Sequence, residues 1–294
     1  ETIMDKYMLL QTATDVGLKI PEAQHREHLV EMTEEQRSVY SDLRAEAADL
    51  DRQEDPGGMF RIMDRMKKAA QDLELYDPVE YKDTYRNSPK YTACVNNAFE
   101  GAMERGGQII FCDHNASHER LKSMLMEKGL KEHEIGIINA QVAKDSEARQ
   151  RIGNKFNRGE IKVVIGNTGT MGEGVNLQGK KHDKGTTDIH HLDQPWDPGT
   201  MHQRNGRGVR QGNRAENVQI HTYLARGSFD GFRHSTLKGK ERWLDKLRSG
   251  ADNISNDMEG QDLDEATMLA MLSDDPDAAL EKLKQVQADA TSAF

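Results

Sequence analysis

The chain has 294 residues, 35% of them apolar and 31% charged, with 50 acidic against 40 basic side chains for a formal charge of −10. That length bounds it to one large domain or two smaller ones. No apolar run approaches the roughly 20 residues that span a bilayer, no charged-then-apolar signal segment opens the chain, and two cysteines (Cys94 and Cys112) are too few and too far apart for a thiol metal site, so a reduced, cytoplasmic setting is expected.

Residues 1–20 carry no clear pattern, and Pro21 separates them from the rest of the chain. MTEEQ (32–36) sets Thr33 against Gln36 as a capping box, and Val39, Leu43, Ala47 and Leu50 recur at helical spacing, which predicts an amphipathic helix over 34–50. EDPGG (54–58) reads as a turn; Met59, Ile62, Met63, Met66, Ala70 and Leu73 mark a second helix whose methionine stripe suits a core. SPK (88–90) gives Ser88 as N-cap and Pro89 as first helical residue of a helix that stops at Gly106-Gly107. Short apolar strands come next at 108–112, 135–139, 161–166, 188–192 and 217–224, with helices from Ser117 to Gly129 and over 146–157 between them. Strands that are apolar throughout and alternate with helices predict an α/β fold, a parallel sheet covered on both faces. From Ser228 the chain turns polar and helical; 250–263 reads as a linker and 264–293 as one or two acidic amphipathic helices. The expected division is a helical linker over 1–87, the α/β domain over 88–235 and an acidic helical extension over 236–294. Charge is divided in a similar way: residues 101–235 carry 20 basic and 16 acidic side chains, against 13 and 21 before them and 7 and 13 after. The mildly basic middle makes whole-chain charge a poor guide to partners. Because the first residue is Glu1, the chain is expected to be a piece of something longer.

In an open parallel sheet, ligands gather at the loops beyond the strand carboxyl ends. Three such loops stand out. GNTGTMGEGVN (166–176) has four glycines, which let a backbone approach a ligand or simply make a tight turn. It is not a Walker A loop, because it lacks the Gly-Lys-Ser/Thr ending; Asn167 and Thr168 could face phosphates. DQPWDPGT (193–200) holds Trp196 in a rigid loop, either exposed or packed on the sheet edge. HQRNGRGVRQGN (202–213), with Arg214 next to it, gathers Arg204, Arg207, Arg210 and Arg214 around three glycines and no acid. Guanidinium forks bind phosphate bidentately, and Arg207 and Arg210, three apart, would share a face on a helix. The plainer reading is a solvated basic turn. His114 and His118 have no third ligand, and His190 and His191 face opposite sides of a strand, so no metal site is expected. No nucleophile elbow or Ser–His–Asp arrangement is present.

The order of these pieces resembles the second RecA-like lobe of superfamily-2 helicases, especially the Swi/Snf-type DNA translocases, over roughly residues 21–235. EHLVEMTEEQRSVYSDL (27–43) is similar to the segment entering that lobe, and SPKYTACVNNAFEGAMERGGQIIFC (88–112) to the helix leading into motif IV. NTGTMGEGVNL (167–177) resembles motif V, QPWDP (194–198) the "D-W-N-P" stretch, and HQRNGRGVRQGN motif VI. The resemblance implies that Arg207 and Arg210 are arginine fingers reaching the β- and γ-phosphates of ATP. It implies that Gly172, Glu173, Gly174 and Gln203 lie near the nucleotide. It further implies that Asn115, Ser117, Lys122, Asn167, Thr168 and Trp196 lie along a DNA backbone. The departures are specific. No Walker A lysine and no acidic DExH-type box occur, so ATP and Mg2+ would be held mainly by a first lobe outside this chain. Asn167 stands where Swi/Snf proteins usually carry serine. GRGVRQGN and the tail TMLAMLSDDPDAALEKLKQV (267–286) look more like large phage and mobile-element proteins of the DarB antirestriction type, which join a helicase to a DNA methyltransferase. The expected function is therefore the C-terminal motor lobe of an ATP-dependent DNA helicase or translocase; the alternative is a non-catalytic DNA- or protein-binding module in a larger assembly. A dinucleotide-binding enzyme is disfavoured by the absence of the fingerprint spacing.

Overall fold

In a computed structural model the structure describes residues 19–52, 56–171, 175–195, 197–231, 234 and 238. The expected acidic helices of 264–293, the segment 1–18, Gly172, Glu173, Gly174 and Trp196 lie outside the described residues. The chain divides into two compact units, one containing Thr92–Tyr223 and the other Leu29–Tyr91 and Leu224–Gly239.

The first unit is built on a six-stranded sheet of order β1-β6-β5-β2-β4-β3. Its strands are β1 (Glu22–Val30), β2 (Gly107–Phe111), β3 (Ile135–Ile138), β4 (Val163–Gly166), β5 (Thr186–His191) and β6 (Asn217–Ala225). The pairs β2–β4, β2–β5, β3–β4 and β5–β6 are parallel, with Ile110 opposite both Ile165 and His190. Every residue of β2, β3 and β4 is buried. That is why these strands read as uninterrupted apolar runs: both faces are covered. One face carries Ile109, Phe111, Ile138, Val164, Ile189 and Ile220 in a core with Phe156 and Leu177.

Strand β1 lies within the stretch read as a helical linker. Its sequence EAQHREHLV is mostly exposed, and it takes the outer position beside β6. The Glu22 N–H donates to the Glu216 carbonyl at 2.9 Å and the Arg226 N–H to Val30 at 2.8 Å, so the two strands run in the same sense. An outermost strand buries little side chain, and its charges guard an open edge, so no apolar periodicity marks it.

The second unit packs α1 (Glu34–Arg52) on α2 (Pro56–Gln71), with the short α3 (Leu73–Tyr76) after them. The capping box forms as expected: Gln36 N–H donates to Thr33 Oγ1 at 3.1 Å, and Thr33 N–H to Gln36 Oε1 at 3.0 Å. Tyr40, Leu43, Ala47, Ile62, Met63, Met66 and Ala70 form the core with Phe229. The EDPGG stretch is not simply a turn: Pro56 to Gly58 belong to the first turn of α2, with proline at the position where its missing N–H costs nothing. Ser88 caps α4 (Pro89–Glu104), accepting from Tyr91 N–H at 3.1 Å and donating to the Gln71 carbonyl at 2.6 Å. Among the described residues no helix is long and apolar enough to cross a membrane.

Candidate functional site at the strand carboxyl ends

Beyond β2, β4 and β5 the chain enters α5 (Asn115–Lys128), α7 (Thr168–Met171) and α8 (Pro198–Asn205); α6 (Ser146–Asn157) links β3 to β4. The loop after β4 starts at Gly166, which glycine alone fills. An added Cβ there would collide with the Ile138 carbonyl oxygen and sit 3.0 Å from Met171 Sδ. Gly166→Ala is expected to cost about 1–3 kcal/mol by overpacking, read as a lower thermal midpoint. Asn167 then turns the chain: its Oδ1 accepts from Thr170 N–H at 3.0 Å and Thr170 Oγ1 at 2.6 Å, and its amide donates to Asn115 Oδ1 at 2.9 Å. Asn115, singled out from sequence on another loop, is thus brought against Asn167, next to Thr168.

The group that ties the three loops together is Arg204, whose side chain is fully buried. Its Nε donates to Thr168 Oγ1 at 2.8 Å and its Nη1 to the Asp193 carbonyl at 2.9 Å. Its Nη2 serves Asp113 Oδ2 at 2.9 Å and Asp193 Oδ1 at 3.0 Å. The guanidinium lies 5.3 Å over the Phe111 ring, a cation–π position. The sequence offers Arg204 only as one of four clustered arginines, a contact to a nucleic-acid backbone or a surface charge; it is the junction of all three loops. The missed signal was the pair of acids at the strand ends, Asp113 and Asp193, each directly after an apolar run.

Arg207 and Arg210 do not share a helical face. Helix α8 ends at Asn205, and Gly206, Gly208 and Gly212 (φ 90°) carry the chain through turns. Asn213 pins those turns, accepting from Thr186 N–H at 3.0 Å and donating to the Thr186 and Gly208 carbonyls at 2.8 Å. The two arginines nevertheless reach the same place: Arg207 Nη1 donates to the Val175 carbonyl at 3.0 Å and Arg210 Nη1 to Asn176 Oδ1 at 3.4 Å. The pKa of Arg207 is lowered, first by burial and then by the positive charge of Arg210. A half-buried guanidinium with an exposed one of like charge near it, at the end of a glycine-rich loop, can receive a polyphosphate.

The remaining predicted positions are less alike. Gln203 is exposed on α8. Ser117 is wholly buried, which corrects the expectation that it faces a DNA backbone. Lys122 is engaged with Glu132 at 2.9 Å. His118 does not pair with His114 toward an ion; its Nε2 bonds the Cys112 carbonyl at 2.7 Å and its Nδ1 the Asn139 amide at 2.9 Å.

His190 and His191 do lie on opposite faces of β5. His190 joins a buried group the sequence did not disclose, since Asp188, His190 and His221 bring ligand-capable atoms within 4.8 Å of one another. All four ring nitrogens are taken by protein groups: His221 by Asp188 at 2.9 Å and His28 at 2.8 Å, His190 by Tyr223 at 2.9 Å and Gln108 at 2.9 Å. Asp188 further accepts from Arg105 at 2.9 Å. The set is satisfied as a hydrogen-bonded network without an ion. On the other face, His191 stacks on Phe111 and bonds Asn205 at 2.8 Å. Burial, then the neighbouring Arg204 charge, pushes its pKa down to about 3. Burial also lowers His190, His28 and His118. These imidazoles are neutral in the folded protein and protonate more readily unfolded. Their contribution is intact above pH ~6.5 and is lost as pH falls below it. At pH 5 the loss from His191 alone is expected to be roughly 2 kcal/mol. Urea unfolding at pH 7 and pH 5 checks this, and His191→Phe should flatten the dependence.

In fold, then, the chain resembles the C-terminal lobe of SWI2/SNF2 ATPases. Its structure is similar to the C-terminal part of the Fun30 ATPase domain, with a TM-score of 0.59 at 14% identity over 74% of this chain and 90% of that one. It is likewise similar to the Sulfolobus solfataricus SWI2/SNF2 ATPase C-terminal domain, with a TM-score of 0.56 at 15% identity over 75% of this chain and 87% of that one. The Sulfolobus solfataricus SWI2/SNF2 ATPase core in complex with dsDNA gives 0.58 at 17% identity, over 79% of this chain and 47% of that one. Residues 90–212 match the family described as helicase conserved C-terminal domain. Among curated proteins it is 30% identical over 259 residues to the Defense against restriction protein B of Escherichia phage P1, and 24% identical over 241 residues to the DNA repair and recombination protein RAD26 of Saccharomyces cerevisiae. Those matches take in 71% and 78% of this chain but only 11% and 21% of the relatives' lengths.

Proposed function

We propose that the chain is the C-terminal motor lobe of an ATP-dependent DNA translocase or helicase, acting with a first RecA-like lobe that holds ATP and Mg2+. The observation that supports this best is the convergence of Arg207 and Arg210 on the adjacent residues Val175 and Asn176.

In this reading Arg207 and Arg210 stabilise charge developing on the β- and γ-phosphates, the work of arginine fingers. Gln203, Gly172, Glu173 and Gly174 lie near the nucleotide. Asn115, Asn167 and Thr168 grip the DNA backbone, with Trp196 and Lys122 at its margin. The chain alone is inactive. The likeness to a phage antirestriction protein favours a large parent, cytoplasmic and encoded by a phage or mobile element. A methyltransferase domain in that parent rests on the sequence resemblance.

The test is to join the chain to a first lobe from its parent and measure ATP hydrolysis with and without duplex DNA. DNA-stimulated turnover absent from either part alone is the expected result. Salt-sensitive DNA binding without any gain in hydrolysis would point instead to a non-catalytic binding module.

A further inference from the structure

The cluster around Arg204 contains one more negative charge than it needs. Two carboxylates, Asp113 and Asp193, share the single guanidinium at 2.9 and 3.0 Å. They are not equivalent. The Asp193 side chain is 2% exposed and Asp113 is 41% exposed. Asp193 also accepts from the Asp113 N–H at 2.6 Å, so it is the built-in counter-ion of the junction. Asp113 uses its other oxygen differently: Oδ1 accepts from both the Thr168 N–H, at 3.2 Å, and Thr168 Oγ1, at 3.0 Å.

A carboxylate that takes a backbone N–H and a hydroxyl through one oxygen and a guanidinium through the other holds the positions a phosphate diester would hold. These are charge-assisted contacts of the kind phosphate makes. We propose that Asp113 occupies, as an internal anion, the seat of a nucleic-acid backbone phosphate on Thr168 and Arg204, so that DNA must displace it to engage the lobe. This rests on the proposed DNA reading of the site and adds a residue that weakens DNA binding. Displacement leaves Arg204 neutralised by Asp193, so no buried charge is orphaned. Asp113 swings toward solvent, where its exposed side already lies. The carboxylate then still sits near the incoming phosphate and repels it, which sets a threshold for engagement and makes release easy between steps.

The experiment measures affinity of the full chain for a fluorescent duplex and a single strand by anisotropy, at low and moderate salt. It compares wild type, Asp113→Asn, Thr168→Val and the double variant. Asp113→Asn keeps the shape and removes the charge, and should tighten binding by about 3- to 10-fold, more at low salt. The gain should disappear in the double variant, because Thr168 no longer offers its hydroxyl. Unfolding midpoints are measured alongside, and Asp113→Ser serves the same test should Asp113→Asn fail to fold. Wild-type binding that Asp113→Asn leaves unchanged or weakens, in a folded protein, overturns the proposal and makes Asp113 a loop brace only. A gain that persists without the Thr168 hydroxyl also overturns it. If neither wild type nor Asp113→Asn binds DNA, alone or with a first lobe, the DNA reading itself fails and the proposal with it.

Discussion

Replacing Arg207 or Arg210 with alanine is expected to lower kcat of the ATPase reconstituted with a first lobe by about three orders of magnitude, the scale of a lost arginine finger. KM for ATP should change far less, because nucleotide is held mainly by the other lobe. The two variants should not be additive, since each arginine helps place the other: Arg207 is bound to Val175 and Arg210 to Asn176, adjacent residues of one loop. Lysine at either position should rescue little, as a point charge lacks the two parallel donors of the fork. Turnover measured under saturating ATP and DNA decides it. Near-normal rates in both variants would remove the arginines from the chemistry.

The second large effect concerns stability. Arg204→Met keeps the volume of a buried side chain but leaves Asp193, also buried, without its cation. Breaking one side of a buried ion pair typically costs about 3–5 kcal/mol, well above the loss from a surface pair. The variant should show that loss in urea unfolding. Adding Asp193→Asn should recover part of it, because the orphaned charge is gone; a double-mutant cycle isolates the coupling. If Arg204→Met unfolds like the wild type, the three loops are held together by something other than this junction.

The sheet was readable because β2, β3 and β4 are buried throughout and therefore nearly continuous apolar runs, while the helices between them keep their glycine stops and caps. Helix α6 begins and ends where the sequence predicted, with Asp145 capping it through the Ala148 N–H at 2.6 Å. Strand β1 was not readable, since a strand whose side chains face solvent carries no hydrophobic period. The order β1-β6-β5-β2-β4-β3 depends on which strands meet across the chain, a long-range property absent from any local pattern. The site divided in the same way. Arg207, Arg210, Asn167 and Thr168 stood out by composition and spacing. The role of Arg204 did not, because a buried arginine and a surface one look alike until their acids are located, and Asp113 and Asp193 lie 80 residues apart in sequence. Arg207 and Arg210 fall beyond the end of α8 at Asn205 for a local reason: three glycines and the Asn213 side chain outweigh the helical spacing of the arginines.

The central claim is that this chain meets phosphates held by another lobe. Photo-crosslinking tests it most directly. An ATP analogue with a photoreactive group on its γ-phosphate is bound to the first lobe together with the full chain and DNA, irradiated, and the labelled peptides are mapped. The account predicts label on this chain within residues 203–213, abolished by excess ATP and reduced in Arg210→Ala. Label confined to the first lobe, with none on this chain in a complex that hydrolyses ATP, would contradict it.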